Sequence, residues 1–379
     1  MCILMPMKKC YLRPPLFLLK IFVVFAVFSN GFAAGAEEIV LTFGGDLMAH
    51  RVMHRIENYS ESFTAVLPLF RTDDLTFANM EFVSSANLPV SGFPLFNAPP
   101  AYVEAAVIAG VDVMATANNH SFDHGDRGLN DTIATLDSVR ERYNGLPYTS
   151  GFAVPGRSFA EPTTIRAGSR TVGFLAITQF SNERPADRNI YSRINVVDGS
   201  NRDAFVRYLE EVTGNFDLFV LSYHGDWVEE YRDSAIPEKR VLFTRFLDAG
   251  VDIVWGHHSH VPQETELRPY GPNNRLVIYS SGNLLGAQGY HLSANEPDPA
   301  DPWASTHDSF LHRVRISFDD DGPSVVTLDM IPVYQRILPG RQSGVVLETL
   351  STVLYREPDD TWRRYYRERA ERLRALSRE

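Results

Sequence analysis

Short apolar runs recur along the chain, and most of them stop in a cluster of polar side chains. Residues 39–43 (IVLTF) run into Gly44-Gly45-Asp46, and residues 75–78 into Asn79-Met80-Glu81. Residues 111–115, bounded by Gly110, open onto Asn118, Asn119, His120, Asp123 and His124. Residues 217–222 end at Tyr223-His224-Gly225-Asp226, residues 251–255 at Gly256-His257-His258-Ser259-His260, and residues 276–280 at Ser281-Gly282-Asn283. Runs of this kind read as buried strands. Residues 171–177 (TVGFLAI) are another, but Thr178 and Gln179 follow instead of a cluster. Helical spacing predicts helices over 62–70, 101–109, 128–143, 202–212 and 239–249, the last closed by Gly250.

Strands alternating with helices argue for an α/β fold with substantial parallel pairing. Ligands in such folds sit at the carboxyl ends of the strands. The polar clusters are therefore expected to meet and form one site. Residues 311–318 and 324–331 alternate about Asp319-Asp320-Asp321-Gly322 and read as a hairpin closing a sheet. The proline-rich stretch 87–100 carries Phe93 and Phe96 and reads as an ordered flap. From 362 onward the chain holds seven Arg and three Glu, with Arg367–Glu371 and Glu368–Arg372 at helical spacing. Trp362, Tyr365, Leu373 and Leu376 form an apolar stripe there, so the segment reads as a solvated helix packed on the domain. The competing reading is contact with an anionic polymer or anionic lipid heads.

With 379 residues, 44% of them hydrophobic, the chain can bury a large core. Residues 1–36 read as a signal peptide: Lys8, Lys9, Arg13 and Lys20 precede the apolar run 21–28, and Ala34-Gly35-Ala36 is a small-x-small cleavage site. An uncleaved anchor fits less well, because the run is shorter than the roughly 20 residues of a membrane span. The expectation is an exported protein, periplasmic, extracellular or held at the cell envelope. Losing the leader takes the net charge from −11 to −15, which disfavours nucleic acid as a partner. Both cysteines, Cys2 and Cys10, lie in the leader, so the mature chain has neither disulfide nor thiolate chemistry.

The chemistry that uses this residue set together is metal binding. His258-x-His260 is a pair that a loop can aim at one centre, and His224 adds a third imidazole. Asp46 and Glu81 add carboxylates, and Asn119 an amide oxygen. Such mixed N/O donors suit one or two divalent transition ions, Mn, Zn or Fe. His120 projects differently from Asn119 and is free to act as a general acid, with Asp123 to orient it. Asn79, Asn118, Asp226 and Asn283 are candidates for substrate contact or for support of the ligands. His257 is expected to face away from the site. His50, His54, His124, His291, His307 and His312 are taken as ordinary.

The order Gly44-Gly45-Asp46, Asn79-Met80-Glu81, Asn118-Asn119-His120 with Asp123, His224-Gly225-Asp226, Gly256-x-His258-x-His260 and Ser281-Gly282-Asn283 resembles the CapA-type capsule-synthesis proteins linked to poly-gamma-glutamate. It is also similar to the wider calcineurin-like metallophosphoesterases. The resemblance spans roughly residues 39–333. It implies a metallophosphoesterase-like sandwich of two mixed sheets flanked by helices, occupying 37–335, with a C-terminal helical extension over 336–379. It further implies Asp46, Glu81, Asn119, His224, His258 and His260 as metal ligands, Glu81 bridging, and His120 as catalytic acid. The broader phosphoesterases open with D-x-H, whereas Asp46 is followed by Leu47-Met48, and Glu81 stands where they carry a bridging Asp.

The first expectation is an exported metal-dependent hydrolase of phosphoesterase type, acting in synthesis or processing of a capsule polymer. Its partners would be an anionic extracellular polymer or phosphoester substrate and the membrane-bound capsule-synthesis machinery. The alternative is a non-hydrolytic factor that binds the capsule polymer in the same cleft.

Overall fold

The computed structural model of the chain describes residues 37–153, 156–182, 193–289, 301, 303–338 and 344–377. The expected leader, both cysteines and His291 lie outside the described residues.

In chain order, β1 (Glu37–Leu47) is followed by the single-turn helix α1 (Leu67–Phe70), β2 (Leu75–Met80) and the short strands β3 (Val83–Ser84) and β4 (Asn97–Ala98). Next come α2 (Pro100–Ala109), β5 (Val113–Ala115), α3 (Gly125–Arg142) and β6 (Tyr148–Ser150). The middle of the chain builds β7 (Thr163–Ala167), β8 (Arg170–Thr178), α4 (Arg202–Val212), β9 (Leu218–His224), α5 (Pro237–Asp248) and β10 (Ile253–His257). Then follow β11 (Thr265–Tyr270), β12 (Asn273–Ile278) and β13 (Asn283–Leu285). The chain ends with β14 (Asp308–Asp319), β15 (Gly322–Ile337), β16 (Val345–Thr349), α6 (Leu350–Arg356) and α7 (Asp360–Leu376).

Two mixed sheets result. One runs β16-β15-β14-β1-β2-β5-β6, with β13 also paired to β1. Its β1-β2-β5-β6 half is parallel and its β14-β15-β16 half antiparallel. The other runs β11-β12-β10-β9-β8-β7, parallel from β8 through β12. Side chains of one face of each sheet meet in a shared core that includes Phe43, Phe77, Phe174 and Trp255. Phe43 stacks on Phe77 with ring centroids 4.7 Å apart. The outer face of the first sheet packs on α2 and α3, and that of the second on α4 and α5. Each fully buried aromatic or aliphatic side chain of this kind contributes roughly 1.5–3 kcal/mol.

The parallel strands and the helices between them follow the apolar pattern closely, and α4 has the expected bounds. The expected helix over 62–70 is instead a 3-10 turn, Tyr59–Phe63, followed by one turn at Leu67–Phe70 with Pro68 in its first turn. A proline there has no N–H to donate, so the helix cannot run through it. The hairpin expected around Gly322 is β14-β15. β15 continues through residue 335, where the sequence suggests a boundary, and β16 adds another strand to the same sheet. The C-terminal extension is therefore not purely helical. Tyr365 and Leu373 of α7 are buried in a cluster with Phe310, Tyr334 and Val353, as a helix packed on its domain should be.

Candidate metal centre

Strand alternation carries the site residues to the inter-sheet face. In β2, Phe77 lies in the shared core and Ala78 and Met80 in the outer one, so Asn79 and Glu81 follow Phe77 inward. In β9, Leu218 and Val220 point inward and Tyr223 outward, which turns His224 inward. β1 needs a correction to this rhythm. Its register against β2 shifts between Phe43 and Asp46, a bulge at Gly44-Gly45. The extra residue puts both Phe43 and Asp46 on the inner side. A side chain at Gly45 would meet the Gly282 carbonyl oxygen at 1.7 Å, so only glycine lets β1 approach the start of β13 this closely.

At these strand ends Asp46, Glu81, His224, His258 and His260 are all buried together. They form two groups with a common member. Ligand atoms of Glu81, His224 and His258 lie within 4.8 Å of one another, and so do those of Asp46, Glu81 and His260. Glu81 Oε1 is 3.6 Å from His224 Nε2 and 3.7 Å from His260 Nε2. Asn119 Oδ1 accepts a hydrogen bond from His224 Nε2 at 2.8 Å, which places the sixth expected ligand beside the first group. His258 and His260 both take left-handed backbone angles, φ 84° and 58°. Non-glycine residues rarely do so, and such strain concentrates at functional sites.

A divalent ion fits this set. Glu81 Oε1 and both ring nitrogens of His258 are buried without a hydrogen-bond partner, and Asp46 Oδ2 faces His260 Nδ1 at 3.2 Å. Leaving such atoms unpaired is costly unless something else binds them. The donors are imidazole nitrogens, carboxylates and an amide oxygen, which suits Zn, Mn or Fe. Burial works against the Asp46 charge, but hydrogen bonds from His257 and His260 hold its carboxyl well below the usual range. Burial pushes Glu81 well above its usual range, with His260 opposing and Asp46 adding to the rise. Burial opposes a proton on His260, yet Glu81 and Asp46 raise it to about 9. Burial keeps His224 and His258 well below the ordinary histidine value. Crowded carboxylates and imidazoles without a cation thus compete for protons, and a divalent ion removes that competition.

The supporting asparagines lie where the sequence suggests, with one exception among the wider set. Asn79 Nδ2 donates to Asp46 Oδ1 at 2.8 Å, and Asn118 Nδ2 donates to Asn79 Oδ1 at 3.2 Å and to the Met80 carbonyl at 2.8 Å. Asn283 Oδ1 is 3.0 Å from His260 Nδ1. Asp226 does not join them. It follows the outward Tyr223, takes φ 66°, and lines a different cleft with Gln179 and Arg202. Its backbone N–H donates to Gln179 Oε1. Glu229 is likewise held elsewhere, in a fully buried 2.7 Å ion pair with Lys239.

His257 overturns the expectation that it faces away. Its Nδ1 is 3.1 Å from Asp46 Oδ1 and its Nε2 3.1 Å from Ser222 Oγ. The signal was present two residues earlier: Trp255 lies in the inter-sheet core and donates to the Gly44 carbonyl, and alternation sends His257 the same way.

His120 and Asp123 stand at the edge of this cluster. His120 Nδ1 is 2.8 Å from Asp123 Oδ2, and Asn182 Nδ2 is 3.2 Å from His120 Nε2. Asp123 Oδ2 also accepts from the Phe96 N–H at 2.6 Å, and the Phe96 ring meets His120 edge-on at 4.6 Å. The stretch read as a flap is thereby tied to the His-Asp pair. A cleft of about 170 Å3 opens over the centre, lined by His120, His258 and His260, by Phe93, Phe96 and Phe180, and by residues including His50, Asn182, Glu230 and Tyr231. His50, taken as ordinary, therefore borders the cleft, with Nδ1 2.7 Å from the Gly286 carbonyl.

Residues 40–288 match the family described as "Bacterial capsule synthesis protein PGA_cap". The chain belongs to this family. The match contains every strand end of the centre, from Asp46 to Asn283. A capsule biosynthesis protein CapA of Bacillus anthracis is 27% identical over 312 residues, which cover 78% of this chain and 67% of that protein. A PGA biosynthesis protein CapA of Bacillus subtilis is 23% identical, covering 85% of this chain and 79% of its own. Among solved structures, a phosphatase of Mycoplasma pneumoniae aligns with a TM-score of 0.47 at 14% identity, over 79% of this chain and 95% of that one. A calcineurin-like phosphoesterase of Bacillus subtilis aligns with a TM-score of 0.41 at 11% identity, over 90% of this chain and all of that one, 100%.

Proposed function

We propose that this member of the capsule-synthesis family is an exported, metal-dependent hydrolase of phosphoesterase type. It would act in the synthesis or processing of a capsule polymer of the poly-gamma-glutamate kind. The observation that carries the reading is the pair of ligand groups sharing Glu81, set beside a His-Asp pair at one cleft.

Asp46, Glu81, Asn119, His224, His258 and His260 would hold the ions. Bound there, divalent cations supply Lewis acidity toward a phosphoryl oxygen and offset developing negative charge. The chain's own residues do the rest. Asp123 accepts a hydrogen bond from the His120 Nδ1–H and fixes the ring's tautomer and tilt. The protonated ring then presents its Nε2–H to the cleft, where it donates to the leaving oxygen as the P–O bond breaks. Water supplies the oxygen that bonds to phosphorus and releases its proton to solvent. Asn79 and His257 hold the Asp46 carboxylate, and Asn283 holds His260, so neither has to reorganise during turnover.

The test is turnover of bis-p-nitrophenyl phosphate and p-nitrophenyl phosphate by the purified protein with Mn2+, Zn2+ or Fe2+. Expected are metal-dependent hydrolysis, loss on chelation, and a drop in kcat of about 10^2–10^4 in His120→Ala. Protein that holds its metal but turns over neither ester with any of these ions sinks the hydrolase reading and leaves the polymer-binding one.

A further inference from the structure

Three phenylalanines share the cleft with the His-Asp pair, and each has a different degree of cover. Phe96 is buried, with its ring edge-on to His120. Phe93 meets Phe96 edge-on at 6.5 Å and is 80% exposed. Phe180, half-buried, meets the His258 ring edge-on at 5.2 Å. His120 Nε2 and Asn182 face the same space.

From this placement we infer that the group leaving from phosphorus carries a ring with an apolar face, and that Phe93 and Phe96 form its subsite. The inference rests on the phosphoester reading above. A general acid must come within roughly 3 Å of the oxygen it protonates. The atoms beyond that oxygen are then placed beside His120, where the wall is Phe96 and, further out, Phe93. A phenylalanine ring left mostly in water at the lip of a cleft has an unused apolar surface. A flat apolar partner covers the Phe93 ring, which Phe96 backs edge-on from within the wall. The segment that presents Phe93 is not loose. Asn97 donates to the carbonyls of Ser85, Leu88 and Pro89, and the Phe96 N–H is held by Asp123. The ring is thus offered from a fixed backbone, at small ordering cost on binding.

Binding of two non-hydrolysable probes to the metal-loaded protein tests this: phenylphosphonate, whose ring takes the leaving-group position, and methylphosphonate, which lacks it. Expected is binding of phenylphosphonate about tenfold tighter than methylphosphonate. Phe93→Ala should reduce that ratio at least threefold, leave the methylphosphonate Kd unchanged, and be restored by Phe93→Trp. Equal affinities in the parent protein, or a ratio unmoved by Phe93→Ala, overturn the subsite while leaving the phosphoester reading in place. Binding of neither probe by metal-loaded protein overturns both.

Discussion

Arg369, near the end of the chain, forms a buried ion pair with Asp308 at the start of β14, its Nε 2.9 Å from Asp308 Oδ2. The same guanidinium donates to Ser305 Oγ at 3.0 Å. The carbonyl of the neighbouring Thr306 accepts from Asn283 Nδ2 at 3.2 Å, and Asn283 in turn holds His260. The C-terminal helix, which lies outside the 40–288 family match, is thus joined to a candidate ligand through three hydrogen bonds and the Ser305–Thr306 backbone. Breaking a buried pair from one side leaves an uncompensated charge and costs about 3–5 kcal/mol. Arg369→Ala should therefore lower the urea midpoint markedly. Arg369→Met combined with Asp308→Leu should recover most of the loss. Measured at a temperature where the single variant is still folded, its metal affinity should also fall.

Glu81 belongs to both ligand groups, whereas His258 and His260 belong to one each. Glu81→Ala should abolish metal binding in both. His258→Ala and His260→Ala should each remove one ion and spare the other. Metal content per chain after reconstitution with Mn2+ or Zn2+ reads this directly. Loss of all metal in each histidine variant would mean that the two groups do not bind separately.

Gly45 sits where a methyl group would collide with the Gly282 carbonyl. Backbone on both sides leaves nothing flexible to give way, so Gly45→Ala should force β1 and β13 apart. The expected cost is about 3 kcal/mol of stability, seen as a lower urea midpoint. Metal affinity should fall as well, because Asp46 and Asn283 are paired across that contact. Gly45 has no left-handed φ, so the collision is the source of the cost; Gly199→Ala, likewise without a left-handed φ and with open space around it, is the control.

His312 is buried between Thr265 and Ser281, with Nε2 2.9 Å from one hydroxyl and Nδ1 3.1 Å from the other. Burial pushes it down to about 3, against a backbone contact that raises it. The unfolded chain's histidine takes up a proton as pH falls below about 6.5, and the folded one does not. The unfolded state therefore binds more protons between these values, and stability falls as pH is lowered from about 6.5 toward 3. His312 alone accounts for roughly 3 kcal/mol by pH 4. Melting temperatures from pH 7 down to pH 4 should show a shallower slope in His312→Gln than in the parent. An identical slope would locate the acid sensitivity elsewhere.

Much of this was legible in the chain because the strands that carry the site are buried on both faces and so appear as unbroken apolar runs. Their ends then mark the site without further information, as with His224 after β9 and Glu81 after β2. Strands without an unbroken apolar run leave no such mark. β11 reads Thr-Glu-Leu-Arg-Pro-Tyr and is largely solvent-facing, and β6 is three residues long. His257 is hard to read from spacing, because the x-separated pair His258-His260 belongs to a loop while His257 is still the last residue of a strand and obeys strand alternation. Asp226 comes after the end of β9, takes a left-handed backbone at φ 66°, and lines the cleft of Gln179 and Arg202. The pairing of Asp46 with Asn283, distant in sequence and dependent on two glycines, had no local signature.

β1, which carries Asp46, pairs along most of its length with β14, whose first residue lies more than 260 positions later in the chain. A partly synthesised chain lacks that partner. It presents β1 with one edge unpaired until residues 308–319 are available, so the metal centre is among the last parts of the molecule able to close. A polypeptide built in this order carries an unpaired strand edge beside the candidate site through most of its synthesis.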